Sequence, residues 1–69
     1  MDIDAKREFV EGPLEYTLVS AGLGVTALRL SDDGNKVQVI FADGISMLVN
    51  IEGDSLGAII MDVTRKALG

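Results

Sequence analysis

Residues 36–51, KVQVIFADGISMLVNI, hold two runs of alternating apolar and polar side chains joined at Asp43-Gly44. Val37, Val39 and Phe41 alternate with Lys36, Gln38, Ile40 and Ala42. Ile45, Met47, Val49 and Ile51 alternate with Ser46, Leu48 and Asn50. A period of two, rich in β-branched residues, marks a strand with one buried face. The turn then sets the register. A two-residue Asp43-Gly44 turn would put Phe41 opposite Ser46 and mix apolar with polar residues on both faces. A three-residue loop, Ala42-Asp43-Gly44 with Gly44 left-handed as a G1 bulge, puts Phe41 opposite Ile45, Val39 opposite Met47 and Val37 opposite Val49. Only this register makes one face apolar throughout, and a slip of one residue would turn the whole set outward. The bulged loop is the expectation.

The segment before it, GVTALRLS, reads as a further strand, with Thr26, Leu28 and Leu30 on the core face and Val25, Ala27 and Arg29 on the other. Asp32-Asp33-Gly34-Asn35 is a turn in which Gly34 or Asn35 takes positive φ. A loop of this length sets Leu30 opposite Val37 and Leu28 opposite Val39, which agrees with the core face of the second hairpin. After the strands, DSLGAIIMDVTRKALG has helical spacing. Asp54 is the expected N-cap, Leu56, Ile59, Ile60, Val63 and Ala67 cover the sheet, and Arg65 and Lys66 suit the last turn. A second stripe, Gly57, Met61, Thr64 and Leu68, flanks the first. Gly57, Met61 and Leu68 form a candidate helix–helix contact, with the Pro13–Ala21 helix as partner or else a helix of another subunit.

Residues 2–11 are charge-rich and read as a short helix or a partly ordered arm (residues 1–12), anchored by Phe9 and Val10. Gly12-Pro13 punctuates the chain, and proline suits the first position of a new helix. Leu14, Leu18 and Ala21 give that helix its stripe and Gly22 its stop, although Tyr16, Thr17 and Val19 also fit a strand. The expected fold is a single small α+β domain over residues 1–69. It has an N-terminal helical segment, a three-stranded antiparallel meander and a C-terminal helix packed on one sheet face, in the order α-β-β-β-α.

A chain of 69 residues buries only about 60% of its unfolded surface, so its core is small. Without cysteine or histidine, neither disulfides nor an ordinary zinc site can supplement that core. Oligomerisation is the natural supplement, a dimer first. Eleven acids against six bases give a net charge of −5, which disfavours direct nucleic-acid binding and suits a basic protein partner. The longest apolar run is too short to span a bilayer and the N-terminus lacks a signal-peptide pattern, so no membrane role and a cytoplasmic location are expected.

Candidate sites are few. Asp32, Asp33, Glu52 and Asp54 fall at one end of a meander and could hold a hard cation. Turn and cap chemistry accounts for them, and no metal or cofactor is expected. Gly22-Leu23-Gly24 lacks the strand, third glycine and helix that make a phosphate loop. Serines, lysines and carboxylates show no nucleophile–base spacing, so no catalytic residue is assigned and a non-enzyme is expected. The outer sheet face is the anomaly. Val25, Ala27, Ile40 and Leu48 stand there among polar residues, more apolar than a face open to water should be. Either the N-terminal arm covers it with Phe9 and Val10, or a second subunit does. The four residues are the candidate self-association surface.

The segments AGLGVT, SDDGNKVQVIFADG and VNIEGDSLGAIIMDV, in a strand–turn–strand and acid-capped-helix pattern over about residues 14–68, resemble short proteins of unknown function encoded by bacterial phages and prophages. The resemblance transfers no functional residue. It implies an accessory role, such as a small acidic inhibitor that occupies the nucleic-acid groove of a host or defence protein.

Overall fold

The computed structural model describes residues 2–69. Asp2, in extended conformation, caps the first helix by accepting a hydrogen bond from the Ala5 N–H at 2.7 Å. Helix α1 (Ile3–Phe9) runs without a break through a π-helical segment (Val10–Leu14) into α2 (Glu15–Ser20). The expected break at Gly12-Pro13 is therefore absent. Proline lacks an N–H and its ring collides with the carbonyl four residues back in an α-helix. A widened turn relieves both problems, and Thr17 Oγ1 donates to the Pro13 carbonyl at 2.8 Å. Val10, Leu14 and Leu18 are buried, Tyr16 faces solvent, and Ala21 is exposed where the stripe was expected to continue. Gly22, with φ at +75°, ends the helix as expected.

Strands β1 (Val25–Leu30), β2 (Lys36–Phe41) and β3 (Ser46–Asn50) form one antiparallel sheet in that order. The second hairpin has the bulged register. Val39 pairs with Met47 and Val37 with Val49, and Phe41 N–H donates to the Ile45 carbonyl at 2.9 Å. Gly44 sits at φ +90°, where a side chain would be strained. In the first hairpin Leu30 pairs with Val37 and Leu28 with Val39, with Gly34 in the left-handed position.

One half of the β1 expectation fails. The register shifts between Val25 and Ala27, so Val25 turns into the core and Thr26 out of it. Thr26 Oγ1 donates to the Ile40 carbonyl instead. A bulge of this kind adds a residue to one strand and reverses the alternation beyond it.

Helix α3 (Leu56–Leu68) starts one residue later than expected. Ser55, not Asp54, is its cap, accepting from the Ala58 N–H at 3.3 Å. Ile59, Val63 and Ala67 are buried, while Leu56 and Ile60 remain about two-fifths exposed. All the helices lie on one side of the sheet, and their buried residues join Val25, Leu28, Leu30, Val37, Val39, Val49 and Ile51 in a single core. The N-terminal helix thus covers the core face, with Val10 at its centre, and does not fold over the outer face. The helix layer stops short of Ile45 and Met47, which stay substantially exposed on the core side of β3. No helix of the described residues is long and apolar enough to cross a membrane.

Candidate interaction surface

The two edges of the sheet are treated differently. On β1 the pairing with β2 leaves the backbone groups of Leu28 and Leu30 pointing outward. Each is closed by a side chain. Glu15 Oε1 accepts from the Leu28 N–H at 2.8 Å and Glu11 Oε2 from the Leu30 N–H at 2.7 Å. Arg7 donates to the Leu30 carbonyl at 2.9 Å and Arg29 to the Leu28 carbonyl at 3.2 Å. Lys6 reaches the Gly34 carbonyl at 3.0 Å and holds α1 against the first turn. The charged residues of the N-terminal segment therefore act as a surrogate strand. Their signal in the sequence is the four-residue spacing of Arg7, Glu11 and Glu15, which runs beside the apolar stripe of Val10, Leu14 and Leu18.

The β3 edge has no such cover. Odd-numbered residues pair with β2, as the bonds from Phe41 to Ile45 and from Ile51 to Asn35 show. The N–H and C=O groups of Ser46, Leu48 and Asn50 therefore point away from the sheet, and no hydrogen bond among the described residues reaches them. β3 also exposes apolar side chains on both sides, Ile45 and Met47 on the core side and Leu48, 62% exposed, between Ser46 and Asn50 on the other. An open edge of this kind can pair with another chain.

The outer face is bare of helices. Ala27 pairs directly with Ile40, and Leu48 lies diagonally across from Ile40, so three of the four residues expected there form one contiguous stripe. Val25 is excluded from it by the bulge. Gln38 Nε2 and Ser46 Oγ form a 3.0 Å bond beside the stripe.

Gly57, Met61 and Leu68 do not meet the N-terminal helix. A Cβ added at Gly57 would enter open space, and Met61 and Leu68 are well exposed. α3 approaches that helix through Ile60, which borders a shallow cleft with Phe9, Pro13, Leu14 and Thr17. The contact uses Ile60 because the helix lies flat on β2 and β3, which turns the Gly57 stripe upward.

The acidic candidates separate into local roles. Asp33 Oδ1 accepts from Ser31 Oγ at 2.6 Å and from the Asn35 N–H at 2.9 Å. Those bonds hold its carboxyl below the ordinary carboxylate range. Glu52 accepts from Asn35 Nδ2 at 3.3 Å. Asp54, freed from capping, turns to Asp62. Its Oδ2 is buried without a donor, and the hydrogen bond with the Asp62 carboxyl, aided by burial and by the Asp62 charge, raises its affinity for a proton. Lys6 opposes this weakly. The described residues contain no group of three or more potential metal ligands. No protein family, curated protein or solved structure matches the chain.

Proposed function

We propose that the chain is a small, non-enzymatic, cytoplasmic interaction protein that self-associates through its outer sheet face, as a dimer in the simplest case. The observation that carries this reading is the Ala27–Ile40–Leu48 stripe on a face that no helix covers. A domain this small gains from burying a second apolar surface, and a two-fold pair is the commonest way to do so. Because the chain has no cysteine, a nitroxide can be placed by a single substitution. A label at Lys36→Cys, on the outer face, should show dipolar coupling between copies. One at Tyr16→Cys, on the helix side, should show a weaker coupling from a longer distance. Coupling from Tyr16 alone, or from neither, contradicts the reading.

The charge distribution favours a second reading, in which the chain is an acidic inhibitor of a basic partner such as a host or defence nucleic-acid-binding protein. Asp2, Asp4, Asp32, Asp33 and Glu52 are exposed at the end of the molecule where α1 meets the first turn. A partner held there should be released steeply as salt rises, whereas apolar self-association should not weaken.

A further inference from the structure

We propose that the open edge of β3, with the cleft between it and the C-terminal half of α3, receives an extended peptide segment of a partner protein carrying carboxylates at alternate positions. The cleft holds about 520 Å³ and is bordered by Leu48, Asn50, Asp62, Arg65 and Lys66. Its floor is the β3 edge at Leu48–Asn50, and the strand's outward-pointing backbone, which continues to Ser46 beyond the cleft, offers alternate N–H and C=O groups to an added strand. Its wall supplies the charge. Of the six bases, Lys6, Arg7 and Arg29 are spent on the sealed β1 edge and the first turn, and Lys36 stands exposed at the start of β2, outside the cleft. Arg65 and Lys66 make no ion pair or hydrogen bond among the described side chains. Two adjacent cations with no partner, in a chain of net charge −5, stand beside the one unsealed strand.

The occupant follows from that pairing. A strand added to β3 alternates its side chains between the outer face, beside Leu48, and the helix side, beneath Arg65 and Lys66. Carboxylates suit the second set, and β-branched or aromatic residues suit the first. Asp62 also borders the cleft but is engaged with Asp54, so the attraction is centred on the two cations. A second copy fits less well. Its β3, SMLVN, offers no carboxylate, and a two-fold pairing of these edges would bring Arg65 and Lys66 of both copies to the same seam. The proposal does not depend on self-association through the outer face.

The test is selection of a random peptide library on the immobilised chain, followed by fluorescence anisotropy with the best synthetic peptide. Selected peptides should alternate acidic with β-forming residues. Affinity should fall about tenfold or more in Ser46→Pro, which removes one outward N–H at the start of the strand, where proline is tolerated. It should fall by at least as much in Arg65→Glu/Lys66→Glu, and should be unchanged in Ile40→Asp. The double charge variant lies on an exposed helix surface and keeps the test decisive if the proline variant does not fold. Three results would overturn the proposal: no alternating acidic consensus, binding indifferent to the charge reversal, or a wild-type dimer that Ser46→Pro dissolves and Ile40→Asp does not. The last would give the edge to a second copy.

Discussion

Asp54 and Asp62 bring two carboxyls together where a single proton would satisfy both. The folded chain binds that proton more tightly than the unfolded chain, so stability declines as pH rises through the raised value and is recovered on acidification. Asp62→Asn supplies an amide donor to Asp54 in place of the second charge. The variant should melt higher than wild type near pH 7, and the margin should shrink as the pH falls through the raised Asp54 value, where the wild-type site regains its proton. A margin independent of pH would contradict the pairing. Asp33 has the opposite sign. Bonds from Ser31 and Asn35 favour its charged form, so its contribution is present above the ordinary carboxylate value and lost as pH falls through its folded one. The Asp33 role is legible in sequence because the turn is local. The Asp54 role is not, since it depends on where the helix carries Asp62, and capping by the adjacent Ser55 was an equally good local solution.

At the scale of elements, the N-terminal helix is both a lid on the core and a seal on β1. Glu15→Ala would leave the half-buried Leu28 N–H without an acceptor, at a cost of about 1–2 kcal/mol. Amide exchange at Leu28 should quicken while that at Val39, inside the sheet, changes only with global stability. Equal protection in variant and wild type would show that Glu15 does not close the edge. For α3, Gly57 faces open space, so Gly57→Ala should stabilise the chain by about 0.5–1 kcal/mol in urea unfolding. Destabilisation, or loss of an assembly, would instead restore the Gly57–Met61–Leu68 stripe as a close helix contact with another subunit. The strands, their order and both hairpin registers are readable from alternation and turn length, because a wrong register would expose the whole Val37–Val39–Val49 set. The bulge at Val25 and the π-turn at Pro13 are not. Each inserts one residue's worth of backbone to suit packing with a distant element, and period alone carries no trace of that.

As a whole, the molecule is two layers with one side left open. Three apolar stripes, one from each long helical segment and one from the sheet, close a single core with Leu28, Val37, Val39 and Ile59 fully buried. Exposed apolar side chains remain on the helices and along β3, where Ile45, Met47 and Leu48 are open, while the charged side chains of the N-terminal helix are committed to β1. Self-association through the outer face can be read from the solution mass by light scattering, for wild type and for Ile40→Asp. Ile40 lies on the uncovered face, so an aspartate there should leave the fold intact while placing a charge in the middle of the stripe. The wild type should be a dimer and the variant a monomer. A monomer in both, or a dimer in both, contradicts self-association through this face.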